Sequence, residues 1–141
     1  MRELQAFEEP MNRWGKRPED IGAWYMTEVR KWCAKSDGTI LVVEEVEKLM
    51  GYAVLLCKCE EDGADGDVAY TFALVADLMV TKAARGRGLG TALLRHCEGL
   101  ARAKNVKVLR IGVMAGNTAA IGVYQNFGFA AHHQTLEKML E

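Results

Sequence analysis

The stretch Ala84–Leu94, ARGRGLGTALL, places three glycines and two arginines directly before a leucine-rich segment. Glycine costs about 0.5–1 kcal/mol relative to alanine in regular structure, so this density indicates a turn that needs a bare backbone. The free N–H groups at a helix start bind anions, and the helix dipole adds about half a positive charge there. Arg85 and Arg87 can add bidentate contacts to a phosphate. The turn predicts a phosphate cradle; an exposed basic helix start is the alternative.

Two common phosphate-binding loops do not match this turn. The P-loop needs a lysine directly after its last glycine, and none follows here. The dinucleotide fingerprint needs G-x-G-x-x-G, whereas the chain has Gly86-x-Gly88-x-Gly90. It also needs an acidic residue about twenty positions later, which is missing. The cradle therefore fits another phosphorylated ligand.

Upstream of the turn, the sequence predicts a helix and then strands. Pro18-Glu19-Asp20 is typical of a helix start, and apolar residues recur at helical spacing up to Cys33. The β-rich runs TILVVEE (39–45) and LMGYAVLLCK (49–58) predict two strands joined by a short turn. VAYTFALVADLMV (68–80) is apolar on both faces, which is typical of a buried central strand.

Downstream of the turn, helices and strands alternate. A helix is predicted from Gly88 to about Lys104, with a buried stripe at i, i+4 spacing. KVLRIGVM (107–114) predicts a strand. Asn117 is the predicted N-cap of a helix that Gly128 ends. The segment FAAHHQTLEKML (129–140) is interpreted as a final strand.

Composition narrows the class of protein. The 141 residues, half of them hydrophobic, suit one domain over residues 1–141 with one core. A formal net charge of −1 gives no reason to expect nucleic acid as a partner. The apolar runs are too short for a bilayer and the N-terminus has no signal-peptide core, so we expect no membrane partner and a cytoplasmic location. The four cysteines form no zinc pattern and are interpreted as reduced thiols, with no metal expected.

Two motifs carry a resemblance to a known family. The acetyl-CoA signature of the GNAT N-acetyltransferase superfamily, [QR]-x-x-G-x-[GA] after a central strand, resembles Asp77–Thr91, where Arg85, Gly88 and Gly90 fill it. The family's second signature resembles Asn117–Phe129. The two motifs occur in the family's order and at its usual separation, and together they span over a third of the chain.

The resemblance implies an α/β (α+β) fold with a mixed, mostly antiparallel central sheet flanked by helices. The family fold begins with a strand before its first helix, but here Met1 is predicted to stand inside or just before that helix. Either the first strand is absent or the sequence starts late. The family's last hairpin is similarly reduced to one long strand or a very short pair. Sheet edges left uncovered in this way favour a homodimer.

The resemblance also implies acetyl-CoA as co-substrate. Backbone groups of the central strand would pair with the pantetheine arm, and amides of the turn would hold the pyrophosphate. Asn117 would bond the cofactor arm, act only as a helix cap, or do both. The implied cofactor-binding residues are Leu78, Met79, Val80, Arg85, Gly86, Arg87, Gly88, Leu89, Gly90, Thr91 and Asn117.

Two residues are candidates for the chemical step. Tyr124 would lie near the thioester sulfur as general acid to the leaving thiolate; the alternative is a core tyrosine on an apolar face. Asp77 is a carboxylate on a strand with two apolar faces, where it is costly unless paired or used. It would hold or help deprotonate the acceptor amine, or else form an ion pair with a neighbouring helix. No glutamate occupies the central strand where many relatives place their base, so a water relay is an option.

The implied reaction is direct acetyl transfer from acetyl-CoA to a primary amine of an unidentified small molecule or peptide, without an acyl-enzyme. The cysteines then need no catalytic role. A non-catalytic acyl-CoA or nucleotide-binding regulator on the same scaffold is the alternative.

Overall fold

A computed structural model describes residues 23–61 and 69–140. Along the chain the elements are α1 (Ala23–Lys35), β1 (Gly38–Glu45), β2 (Lys48–Glu61), β3 (Tyr70–Val80), a 3₁₀ turn (Lys82–Ala84), α2 (Leu89–Ala103), β4 (Leu109–Ile111) and α3 (Thr118–Phe127). The predicted helix start at Pro18 and the question of an earlier strand lie outside the described residues.

The four strands form one sheet in the order β1-β2-β3-β4. The pairs β1–β2 and β2–β3 are antiparallel, and β3–β4 is parallel. Val46 and Glu47 close the first hairpin with φ values of 50° and 59°, the left-handed pair that a tight two-residue hairpin turn requires. The predicted mixed, mostly antiparallel sheet is confirmed.

Helices cover both faces of this sheet. On one face Val29 of α1 packs into a cluster with Tyr52 and Met79. On the other face α2 buries Leu94 and Cys97, and side chains of α3 pack against the same cluster. The apolar stripe predicted for α2 is therefore the face of the helix that packs against the sheet. No helix in the described part of the chain is long and apolar enough to cross a bilayer.

The four thiols are free in the structure, and two of them, Cys57 and Cys97, are buried. Burial raises the pKa of Cys97 to about 11. The pKa of Cys57 is also raised, mainly by burial. Because the thiolate is the nucleophile, these two cysteines behave as small core residues.

The prediction of a final strand over 129–140 is wrong. This segment is irregular and its residues from 130 onward are exposed. The preceding strand β4 has only three residues, shorter than the predicted 107–114, so it offers little ladder for another strand to join. The segment instead contacts β4 through side chains, with Arg110 Nη2 of β4 2.8 Å from Nε2 of His132.

Candidate functional site

A β-bulge in β3 sets the geometry of the site. Val54 stands opposite Asp77, but the next β2 residue, Leu55, stands opposite Val75, so Ala76 is an extra residue. A bulge of this kind reverses the alternation of side chains along the strand. Val75, before the bulge, faces α2. Leu78, three residues later, also packs on the α2 side, although regular alternation would place it on the opposite face.

The bulge turns Asp77 towards α1. Regular alternation would place Asp77 on the same face as Val75, under α2. Instead the Tyr25 hydroxyl of α1 donates a hydrogen bond to Asp77 Oδ2 at 2.8 Å. One expectation from the sequence is an ion pair between Asp77 and a neighbouring helix. Among the described residues, Asp77 instead accepts a hydrogen bond from a neutral side chain of α1.

The surroundings of Asp77 favour its neutral form. Burial raises the pKa of the carboxyl group above its ordinary value, and the hydrogen bond from Tyr25 offsets part of this rise. Because Tyr25 stabilises the carboxylate, it keeps the group closer to ionisation than burial alone would allow. A partly buried carboxyl group with a raised pKa can accept a proton or pair with a cation.

The outer edge of β3 opens beyond the bulge. Its pairing with β4 ends at Val75 opposite Ile111, although β3 continues to Val80. On the other side, Thr81 N–H donates to the Met50 carbonyl at 2.8 Å. Because residues in an antiparallel pair alternate in direction, the peptide groups of Leu78 and Val80 point away from β2. They face the side of β3 on which the pairing with β4 has ended, which we call the gap.

The neighbouring residue Met79 is oriented differently. It stands opposite Tyr52 of β2, so its peptide groups face β2 rather than the gap. Its side chain is buried on the α1 face. Of the three strand residues predicted to bind the cofactor arm, Leu78 and Val80 therefore present backbone groups to the gap.

The glycine turn connects this edge to α2. Gly86 and Gly88 both have φ of 77°, a left-handed conformation that favours glycine. A Cβ built on either would meet nothing within 4 Å, so the space above both is open. Gly88 is the N-cap of α2, and the first bond of the helix runs from Ala92 N–H to its carbonyl at 3.0 Å. The amides of the first turn before Ala92 have no partner within the helix.

The two arginines of the turn are already oriented by the protein. Arg85 Nε donates to the Val80 carbonyl at 3.1 Å, which ties the turn to the end of β3. Arg87 Nη1 forms a 2.8 Å ion pair with Oε2 of Glu45 at the end of β1. The hydrogen bond and charge of Arg87 lower the pKa of Glu45. An arriving phosphate would compete with Glu45 for Arg87.

Asn117 and Tyr124 lie on α3. Asn117 Oδ1 accepts from the Ala120 N–H at 3.2 Å, so the predicted cap is confirmed. With its oxygen occupied, Asn117 has its Nδ2 donor to offer to a ligand carbonyl. Tyr124 is half-buried, and its ring meets that of Phe129 edge-on, with centroids 6.1 Å apart. Two helical turns separate the residues, so both lie on one side of α3.

These features together suit a long phosphorylated ligand. The gap beside Leu78 and Val80 offers backbone groups in the manner of a strand edge, and it leads to a turn with bare, left-handed glycines. The helix start beyond it has free amides and carries no acidic residue in its first turn. Within the described residues no cluster of His, Cys, Asp or Glu could hold a metal ion.

Sequence reasoning missed two residues of the site. Tyr25 lies 52 positions from Asp77, and Glu45 lies 42 positions from Arg87. Tyr25 fits the apolar stripe of α1, and Glu45 looks like an ordinary strand-end acid. No local signal distinguishes either of them, because only the sheet register and the bulge bring each to its partner.

Comparisons with known proteins agree with this geometry. A family profile described as "Acetyltransferase (GNAT) family" matches residues 2–129 of this chain. An L-methionine sulfoximine/L-methionine sulfone acetyltransferase from Pseudomonas aeruginosa is 29% identical over 120 residues, which cover 82% of this chain and 63% of that protein. The streptothricin acetyltransferase of Streptomyces lavendulae is 35% identical over 78 residues, covering 48% of this chain and 41% of that protein. The chain thus spans less than two thirds of the length of these curated relatives.

Solved structures show the same fold. A mutant of the BH1408 protein from Bacillus halodurans superposes with a TM-score of 0.76 at 20% identity, covering 99% of this chain and 87% of that one. Aminoglycoside N-acetyltransferase AAC(6')-Iy in complex with CoA gives a TM-score of 0.62 at 15% identity, covering 84% and 92%. With the family match over nearly the whole sequence, the bulged strand, the open edge and the glycine turn have a common explanation: this chain belongs to the GNAT acetyltransferase family.

Proposed function

We propose that the protein is an N-acetyltransferase that moves an acetyl group from acetyl-CoA directly to a primary amine. The observation that carries the proposal is the open edge of β3, which runs into a left-handed glycine turn at the start of α2. Family membership supports acetyl-CoA as the ligand of this edge and turn.

In the proposed complex each part of the cradle has one task. Leu78 and Val80 bond the pantetheine arm through their backbone groups, while the first-turn amides of α2 hold the pyrophosphate. Arg85 and Arg87 neutralise its charge. Asn117 donates from Nδ2 to a carbonyl of the arm. These roles are supported by the backbone groups of Leu78 and Val80 on the side of β3 away from β2 and by the glycine turn at the start of α2.

When bound, acetyl-CoA supplies a thioester whose C–S bond breaks as the C–N bond to the amine forms, with one proton leaving the amine and one reaching the thiolate. Asp77 pairs with the acceptor ammonium or takes its proton, directly or through water. Tyr25 holds the Asp77 carboxyl group in place through the 2.8 Å hydrogen bond. Tyr124 gives its hydroxyl proton to the thiolate and regains one from solvent.

The test of the proposal is a thiol-release assay with acetyl-CoA and a panel of amino acids, polyamines, aminoglycosides and peptides. Mass spectrometry should find an acetylated amine in proportion to the thiol released. Tight CoA binding by calorimetry without turnover on any amine would instead favour the non-catalytic acyl-CoA-binding module.

Glu45→Gln is expected to strengthen CoA binding. The substitution removes a carboxylate that competes with the pyrophosphate for Arg87, while keeping the size of the side chain. Since exposed ion pairs are weak, we expect a gain of about two- to fivefold at low salt. Calorimetry in low salt and in 0.5 M salt checks this, because screening should remove most of the difference. A weaker affinity in Glu45→Gln would show that Glu45 serves to position Arg87.

Asp77→Asn is expected to raise stability at neutral pH and lower acetyl transfer. Because the folded-state pKa of Asp77 is raised, the native state binds more protons than the unfolded state between the ordinary and the raised pKa. Stability therefore falls as pH rises through that interval. Asparagine stays neutral and can still accept from Tyr25. The Tm gain should be present at pH 7 and disappear below about pH 4, near the ordinary aspartate pKa.

Tyr25→Phe separates the charge of Asp77 from its position. Losing the hydroxyl removes a bond that favours the carboxylate, so the pKa of Asp77 should rise further. The acidic limb of the kcat/KM profile for the amine should move to higher pH, whereas Asp77→Asn should abolish that limb. If neither variant alters the profile, Asp77 has no part in handling the acceptor proton.

We further propose that the protein is a cytoplasmic homodimer. Free thiols are consistent with a reducing compartment. In the described sheet β1 is an edge strand. Pairing with a second copy would cover such an edge. Light scattering at micromolar concentration should give twice the chain mass; a monomeric mass contradicts the dimer.

A further inference from the structure

We infer that the acceptor is a monoamine carrying one compact apolar group, and that this group binds in a cavity on the α1 face of the sheet beside Asp77. The inference rests on the acetyl transfer proposed above and names the substrate class for it.

The cavity has a volume of about 180 Å³ and is lined by side chains of α1, β1, β2 and β3. Its walls include Met26, Val42, Leu49, Tyr52 and Met79, and none of its described lining residues is charged. An apolar protein cavity of about 150 Å³ is large enough to bind benzene. The space therefore suits one group of about six carbons.

Asp77 lies near this cavity on the same face of the sheet, although it is not one of the lining residues. Met79 in its wall lies two strand positions beyond Asp77, or about 7 Å along the chain. On the helix, wall residue Met26 directly follows Tyr25, whose hydroxyl donates to Asp77 at 2.8 Å. The carboxyl group and the apolar wall therefore lie side by side on one face. We expect an amine joined to its apolar group by one or two methylenes to reach from Asp77 into the cavity.

The apolar lining of the cavity also disfavours acceptors that carry several positive charges. A charged group taken into an apolar cavity is costly unless it is paired, and Asp77 can pair with a single ammonium. Two of the wall residues, Val42 and Leu49, are 54% and 48% exposed, so an apolar ligand would remove them from water. A polyamine or an aminoglycoside would bring further ammonium groups against these side chains without a matching carboxylate.

The test compares 2-phenylethylamine, ethylamine, spermidine and kanamycin as acceptors at saturating acetyl-CoA. The difference between the first two is the apolar group alone. Since a single methylene in an apolar pocket changes kcat/KM by about 10–200-fold, we expect 2-phenylethylamine to exceed ethylamine by at least tenfold. We expect spermidine and kanamycin to be poorer than 2-phenylethylamine.

Leu49→Gln tests the wall itself, and Leu136→Gln is its matched control. Leu49 lines the cavity, whereas Leu136 is 86% exposed on the C-terminal segment and does not. Leu49→Gln should lower the ratio of 2-phenylethylamine to ethylamine rates at least threefold, with the acetyl-CoA KM unchanged. Leu136→Gln should leave this ratio, the ethylamine rate and the acetyl-CoA KM as they are. Circular dichroism establishes that both variants fold.

The outcomes separate this inference from the proposed function. Acetyl transfer without preference for 2-phenylethylamine, or with a preference for spermidine or kanamycin, overturns the inference and leaves the transferase standing. If no amine is acetylated, calorimetric titration of 2-phenylethylamine into the CoA-loaded protein decides. Binding that Leu49→Gln weakens and Leu136→Gln does not would support the site without the reaction, and absence of binding overturns it.

Discussion

Gly88→Val is expected to abolish CoA binding while the protein still folds. Gly88 has φ of 77°, caps α2 and has open space above it. The isopropyl group would occupy the space through which a pyrophosphate approaches the first-turn amides. A hydrogen bond to a charged group contributes about 1.5–3 kcal/mol, so losing two of them reduces affinity at least about a hundredfold. Calorimetry with CoA measures this loss directly.

Two further variants show whether the effect belongs to the turn. Gly99→Val introduces the same side chain within α2, where a Cβ also meets nothing within 4 Å, and it should leave affinity unchanged. Gly88→Asn tolerates the left-handed conformation better than valine, so it blocks the cradle with less backbone strain. We expect Gly88→Asn to bind poorly as well while keeping most of its Tm. Normal CoA affinity in Gly88→Val would place the cradle elsewhere in the chain.

Local sequence signals predicted the elements that position this turn. Glycine has a strong preference for left-handed caps, so Gly88 and Gly128 mark the start of α2 and the end of α3 correctly. Asn117 caps α3 through a bond within its own first turn. Each of these features depends on residues close in sequence, and for that reason a single sequence contains the information.

The details of the site depend instead on long-range register. Strand alternation alone would place Asp77 under α2, and only the extra residue at Ala76 turns it to Tyr25. The pairing of Arg87 with Glu45 likewise needs the ends of β1 and α2 to meet. The prediction of a final strand over 129–140 was wrong for the same reason, because an extended pattern forms a strand only where another strand can pair with it.

Tyr124 presents the sharpest choice between a role in chemistry and a role in packing. Its ring is half-buried against Phe129 and the cluster under α2, which would be sufficient reason for an aromatic residue here. Its hydroxyl adds something that packing does not require. Because Tyr124 and Asn117 share one side of α3, a ligand arm bonded at Asn117 would run towards that hydroxyl. The phenol is therefore our candidate for protonating the thiolate.

Tyr124→Phe should lower kcat by about 10²–10⁴-fold, the usual contribution of a positioned acid. The acetyl-CoA KM should change little, because the interaction is made mainly in the transition state. Phenylalanine keeps the ring contact with Phe129, so the Tm should stay close to that of the parent. Rates are best measured in a single turnover, where slow product release cannot hide a change in the chemical step.

Tyr70→Phe is the matched control for loss of a tyrosine hydroxyl. Tyr70 begins β3, and its hydroxyl donates to Glu61 Oε2 at 2.8 Å at the end of the strand away from the glycine turn. Removing that bond should leave kcat unchanged and affect at most stability. If both variants turn over at the parent rate with a good acceptor, Tyr124 belongs to the core and the thiolate takes its proton from water. If only Tyr124→Phe is slow, with normal Tm and normal KM, packing cannot account for the loss, because the ring that packs is still present.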